Sequence, residues 1–224
     1  MFSAKLVGKQ MDVFYDLYLP EYNVPTPEVQ TNYIEIPGLN GSIDKTSPDG
    51  VVHYKNREWT LQFQKTGKNV SAYDLPLMSR MLYNDLHGRK GEIIFDDDIN
   101  YKWIGRVFVD DVRCENNGLI IADIRLITDP FRYGVVGIER SYKLSGTSQV
   151  IVLKNGVKPL VPKIVVSGTN SSAFLEFTIK GNSYTASLSA GTWTVPDLVL
   201  FEGDTEISIS GSGNIKFEYP EALL

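Results

Sequence analysis

The 224-residue chain has one cysteine, Cys114, and two histidines, His53 and His87. A lone cysteine excludes an intrachain disulfide and a cysteine-rich metal site and suits synthesis in a reducing compartment; in an extended segment Cys114 reads as a small core residue. Paired His or Cys at zinc spacing is absent, as are a Gly-x-Ser-x-Gly elbow, a Gly-x-x-x-x-Gly-Lys phosphate loop and a Gly-x-Gly-x-x-Gly opening a helix. No enzyme activity and no cofactor are therefore expected. A basic excess is missing too: 22 Lys and Arg face 27 Asp and Glu, for a formal net charge of -5. That argues against affinity drawn from neutralised phosphates and against direct nucleic-acid base recognition. No run of about eighteen apolar residues occurs and the first ten residues lack an apolar h-region, so neither membrane insertion nor a signal peptide is expected.

What the chain does have is strand pattern and turn chemistry. Residues 12–33 interleave Phe14, Tyr15, Tyr18, Tyr22 and Tyr33 with Pro20, Pro25 and Pro27, which excludes a continuous helix and suits an extended arm. Strand character over 29–36 leads into Ile36-Pro37-Gly38-Leu39-Asn40-Gly41-Ser42-Ile43-Asp44. Pro37 and Gly38 suit the central positions of a type II turn and Gly41 permits a second reversal, so 37–50 reads as a long loop between strands. Residues 57–65 alternate Trp59, Leu61 and Phe63 with polar neighbours, the mark of a half-buried strand. Leu75, Met78, Met81, Leu82 and Leu86 then follow helical spacing, with Asp74 as N-cap and Pro76 in the first turn, giving one substantial helix over a sheet.

Residues 91–95 and 101–109 read as a hairpin across Asp96-Asp97-Asp98-Ile99-Asn100. That turn fails the calcium-loop template, because Tyr101 stands at the glycine position and Val107 at the bidentate glutamate. The strand over 119–128 is expected to stop at Asp129-Pro130. Past it composition shifts: every arginine lies at or before Arg140, and Ser plus Thr number 11 in residues 1–140 but 19 in 141–224. The domain boundary is placed between Tyr133 and Tyr142, giving domains 1–135 and 136–224. The second shows short strands, at 150–154, 163–167, 173–179, 183–188, 193–195, 206–209 and 215–219, punctuated by Asn155-Gly156, Lys180-Gly181-Asn182 and a Gly211-Ser212-Gly213 read as a hairpin turn. That pattern predicts a β-sandwich or jelly roll. The fold class is thus mainly β with one helix, an N-terminal β-sandwich-like domain carrying the helix and a small C-terminal sandwich. Glu202, Asp204 and Glu206 are close enough for glycosidase acids, but the Gly203-Asp204 turn accounts for two of them. Trp193, Tyr184 and Phe174 are candidates for a sugar-stacking platform, though aromatics in a small sandwich commonly fill its core.

Taken in order, Ile36-Pro37-Gly38-x-x-Gly41-x-x-Asp44, Tyr54-x-Asn56-Arg57, the single helix, Phe95-Asp96-Asp97-Asp98 and Asp129-Pro130-Phe131 form a series. It resembles the distal tail proteins (Dit) of long-tailed bacteriophages, chiefly those of Gram-positive hosts. The resemblance covers about the first 133 residues, and the remainder is similar to that family's galectin-like sandwich. It implies a virion protein of the tail tip or baseplate, assembled in the host cytoplasm as a hexameric, possibly stacked, ring. Its implied partners are further copies of itself, the tail tube protein, the tail-tip protein and receptor-binding or baseplate proteins. A closed ring needs a heterologous contact between two different faces of the subunit. The candidate interface loop is Ile36 to Asp44, and the candidate interface arm carries Tyr18, Tyr22, Pro25 and Pro27. The alternative is a carbohydrate-binding module contacting host cell-wall glycans.

Overall fold

The structure is a computed structural model that describes residues 2–66, 72–115 and 118–224. The chain forms two compact units, Met1–Arg132 and Tyr133–Leu224. Among the described residues it is mostly β, as the strand periodicity predicts, with two short α-helices where one was expected.

The first unit contains β1 (Ala4–Leu6), β2 (Lys9–Gln10), α1 (Met11–Tyr15), β3 (Tyr33–Glu35), β4 (Ser42–Asp44), β5 (Arg57–Lys65), α2 (Leu75–Leu86), β6 (Lys90–Phe95), β7 (Tyr101–Glu115) and nearly all of β8 (Leu119–Gly134). Its main sheet runs β5-β8-β7-β6-β1-β2, while β3 and β4 pair only with each other. The alternation in β5 puts Trp59, Leu61 and Phe63 into the core and Glu58, Thr60 and Gln62 outside. Met78, Leu82 and Leu86 of α2 cover the sheet, each such burial contributing about 1.5–3 kcal/mol.

Several local expectations change. Met81, placed in the buried stripe of α2, lies on an exposed flank beside Leu77, and Asp74 makes no side-chain cap bond. A second, one-turn helix, α1, stands where the aromatic and proline pattern suggested an arm. Met11 and Tyr15 seal α1 to the core, and Asp16, at φ 56°, ends it before the prolines begin. Strand β8 does not stop at Asp129-Pro130. The β5 ladder ends at the Arg57–Thr128 pair, so nothing in β5 requires the N–H that Pro130 lacks. Cys114 is half-buried against the core.

The second unit holds β9 (Ile138–Ser145), β10 (Gln149–Asn155), β11 (Lys163–Ile179), β12 (Asn182–Ser189), β13 (Gly191–Thr194), β14 (Gly203–Tyr219) and β15 (Ala222–Leu223). Here pairs of expected short strands are single long ones, β11 and β14. Both change partners midway, which makes the sandwich. Residues 163–167 of β11 and 214–218 of β14 pair with each other, flanked by β13 and β9. Residues 172–177 and 207–212 pair with each other, flanked by β12 and β10. Ile164, Val166, Ile215 and Phe217 from one half meet Leu175, Phe177, Ile207 and Ile209 from the other in one core.

The corner lies where the register shifts between Ser167 and Ser172. Gly211-Ser212-Gly213, expected as a hairpin turn, is instead the β14 side of that corner. Gly211 (φ 126°) and Gly213 (φ 97°) hold positive φ, and a Cβ at either would collide with β11, at Ser172 or Ser171. The glycines there answer to close backbone approach, not to chain reversal. Strand β9 occupies much of the segment where the sequence placed the domain boundary.

Candidate assembly surface

The Ile36 to Asp44 segment is the end of a hairpin rather than an irregular loop. Tyr33 pairs with Asp44, Ile34 with Ile43 and Glu35 with Ser42. The Leu39 N–H donates to the Ile36 carbonyl (3.1 Å) and Gly38 sits at φ 86°, the third-position geometry of a type II turn. Gly41, also at φ 86°, makes the second reversal. Below this tip the chain closes again. Lys45 N–H donates to Asn32 O (2.7 Å), Asn32 N–H to Thr46 Oγ1 (3.2 Å) and Thr46 N–H to Asp44 Oδ1 (2.8 Å). Its hydrogen bonds from Thr46, side chain first and backbone second, hold the Asp44 carboxyl below the usual range. At the base Val29 bridges Tyr54, Gln30 N–H donates to His53 O and Lys55 N–H to Glu28 O (2.8 Å each), and Lys55 pairs with Glu28 (2.9 Å). Tyr54 packs edge-on to Phe131, fixing the stem to the first unit.

This hairpin buries almost none of its own side chains. Tyr33, Ile34, Ile36, Leu39 and Ile43 are between 40 % and 58 % exposed. Together they leave on the order of 400 Å² of apolar surface open, the size at which a patch marks an interaction site. A two-stranded hairpin is only marginally stable by itself in water, and this one is held through its stem contacts with residues 53–55 and Phe131.

The candidate arm lies against its own unit. Tyr18 exchanges backbone hydrogen bonds with Gln64 (2.9 and 2.8 Å), and Tyr22 stacks on Phe95 (4.3 Å) while its hydroxyl donates to Asp97 (2.6 Å). The Pro25 carbonyl accepts from Arg57 and Pro27 is buried. A second exposed apolar surface, not foreseen from the sequence, lies between α1 and α2: Val13, Phe14, Leu77 and Met81 line a shallow groove with Lys65 and Asp74 at its margin. Its signal was present, since Leu77 and Met81 are four residues apart on one flank of α2 while the core takes Met78 and Leu82.

Other sequence candidates are accounted for by local contacts. In the Asp96–Asp98 turn, Gln10 donates to Asp96 (3.0 Å), Tyr22 to Asp97 and Arg132 to Asp98 (2.9 Å), so the three carboxylates hold the arm and β8 rather than converge on a cation. Among the described residues no group of three or more His, Cys, Asp or Glu could hold a metal. Val109 N–H donates to His87 Nδ1 (3.1 Å), and His53 pairs with Asp49. The three aromatics considered for sugar stacking do not share a face. Tyr184 stands opposite Phe177 and packs on the core, Trp193 pairs with Ile164 at the edge strand β13 and is itself 39 % exposed, and Phe174 points outward between core residues Ala173 and Leu175.

With this geometry in place, residues 16–118 match the family of the phage tail protein RIFT-related domain. No curated protein matches the chain by sequence. The crystal structure of the Dit protein of phage SPP1 superimposes with a TM-score of 0.70 at 14% identity, covering 100% of both chains. That protein is described as a paradigm of the hub adsorption apparatus in phages infecting Gram-positive bacteria. Residues 16–118 are thus similar to a phage tail protein RIFT-related domain, and the chain has, from end to end, the fold of the SPP1 Dit protein.

Proposed function

We propose that the protein is the structural hub of a phage tail tip or baseplate, a hexameric ring joining the tail tube to the tail-tip protein and the receptor-binding apparatus. The observation that carries this reading is the β3–β4 hairpin, which displays five large apolar residues to solvent in a chain with the Dit fold. Ring closure is heterologous, so the hairpin of one subunit needs a different surface on the next. The groove between α1 and α2 is such a surface within the same unit: convex and apolar meets concave and apolar. Residues 1–135 form the ring and 136–224 a galectin-like sandwich facing the adsorption partners. The site of action is the virion tail tip, after assembly in the host cytoplasm.

Light scattering on the purified full-length chain tests this directly. A hub gives a mass six times the 25.1 kDa of one chain, or twelve times for stacked rings, and ring images by electron microscopy. Deleting 40–49 lowers the mass to that of one chain. A wild-type protein that stays monomeric at every workable concentration and binds no tail protein overturns the hub; a deletion variant that keeps its ring shows that the tip is not an assembly element.

A further inference from the structure

Arg57 opens β5 with only 6 % of its surface exposed. Its Nη1 donates to the carbonyl of Pro25 (2.5 Å) and its Nε to that of Pro130 (2.8 Å), and the guanidinium lies 4.8 Å from the Trp103 ring centroid. All these partners are neutral. Among the described residues no carboxylate pairs with Arg57, and its Nη2 has no hydrogen-bond partner. Leaving a buried cation without a counter-charge is among the costlier arrangements a fold can hold.

The surroundings repeat the same lack. Thr128, the in-register partner of Arg57, is fully buried with its hydroxyl unpartnered. Arg132, two strand repeats along β8 on the same face, gives Nη1 to Asp98 and leaves a buried Nε unpartnered. The indole N–H of Trp59, a ring in contact with Trp103, is likewise unsatisfied. Burial first, and the nearby Arg132 charge second, pull the Arg57 pKa down. Three N–H groups and a hydroxyl able to donate thus stand on one face at one end of the sheet. A water could accept two of these bonds but would have to place two hydrogens of its own, whereas an anion only accepts.

We propose that Arg57 and Arg132 frame a binding site for a single small anion of halide or carboxylate chemistry, at the end of the first unit's sheet where β5 and β8 meet the Pro25 segment. Two sources can supply that chemistry, a dissolved anion or a side-chain carboxylate of a second copy of the chain.

The test uses the full-length protein. Thermal unfolding is followed through parallel titrations with sodium formate and sodium bromide, on wild type and on Arg57→Met, so that general salt effects cancel in the comparison. The expected result is a saturable rise in the wild-type midpoint that the variant lacks. Arg132→Gln, which leaves the Pro25 and Pro130 contacts in place, serves if Arg57→Met does not fold, and should weaken the response. Crystals grown in bromide should show an anomalous peak within hydrogen-bonding distance of Arg57 Nη2. A neighbouring copy's carboxylate at that position, with no midpoint response in the assembled protein, assigns the second source and sustains the site. Only water beside Nη2, together with equal responses of wild type and variants, overturns it.

Discussion

Gly211 lies so close to Ser172 that a methyl group on its Cα would overlap the Ser172 carbonyl oxygen. The contact sits at the corner where β11 and β14 pass from one half of the sandwich to the other. Both strands have to approach there without side chains between them.

Gly211→Ala is therefore expected to destabilise the second unit by about 2–4 kcal/mol, combining the strain of a non-glycine residue at φ 126° with overpacking against β11. Urea unfolding followed through Trp193, the only tryptophan of that unit, reads the change. A variant within about 0.5 kcal/mol of wild type, the usual range for surface substitutions, shows that the corner yields.

The corner also shows where sequence reading stops. Alternation in residues 173–179 and 215–219 is visible, because inward Leu175, Phe177, Ile215 and Phe217 obey the period of two. Whether two such runs form one bent strand or two depends on partners far away in the chain. Gly211-Ser212-Gly213 looks the same in either case, since glycine serves a reversal and a close approach equally well. Strand β9 was hidden for a related reason: Glu139, Ser141 and Lys143 make its outward face polar and Arg140 interrupts the inward row of Ile138, Tyr142 and Leu144, so its pairing with β14 supplies what its own pattern does not.

Gly38 and Gly41 present the opposite situation, since a Cβ at either would meet nothing within 4 Å. Their constraint is conformational alone, about 1–2 kcal/mol for each non-glycine residue held at positive φ. The hairpin contributes nothing to the core, so Gly38→Val/Gly41→Val should keep a near-native thermal midpoint while losing the ring by light scattering. Loss of the folded state in the double variant would show instead that the turn supports the unit's core.

The type II turn at Pro37-Gly38 was legible because it rests on four adjacent residues. The closure of the stem was not, for Glu28 to Gln30 pair with His53 to Lys55 across a separation no local pattern reveals. The arm misled for a physical reason too. Tyrosines among prolines look extended and sticky, yet Tyr22 finds both its stacking partner and its acceptor in the β6–β7 turn of its own unit.

Tyr15 and Tyr22 carry a pH dependence of known sign. Burial first, then hydrogen bonds to Asp85 and Asp97, raise both phenol pKa values above the usual value of about 10. A raised folded-state pKa contributes stability that is fully present below the unfolded value and declines as pH rises beyond it. The first unit should accordingly lose stability above about pH 10. Tyr22→Phe is expected to be somewhat less stable at pH 8, having given up the 2.6 Å bond to Asp97, yet to show a shallower alkaline decline. Chemical denaturation at intervals between neutral and alkaline pH measures the slope, and equal slopes for variant and wild type would exclude Tyr22 as the titrating group.

Asn155, read from sequence as half of an Asn-Gly turn, is a buried clamp. Its side-chain N–H groups donate to the carbonyls of Lys158 and Leu200, each at 2.8 Å, tying the end of β10 to the segment before β14. Asn155→Ala removes both donors; the Leu200 carbonyl keeps the Leu160 N–H (3.1 Å), whereas the Lys158 carbonyl is stranded, at a cost of about 1–3 kcal/mol if it stays buried. Asn155→Asp should be worse at neutral pH, because a carboxylate would face two acceptors with no donor to offer, and should recover as acid protonates it. Stability of both variants at pH 7 and pH 4 separates the two effects. If the alanine variant matches wild type, water replaces the amide and the clamp is dispensable; if the aspartate variant fails to recover in acid, geometry rather than charge decides the cost.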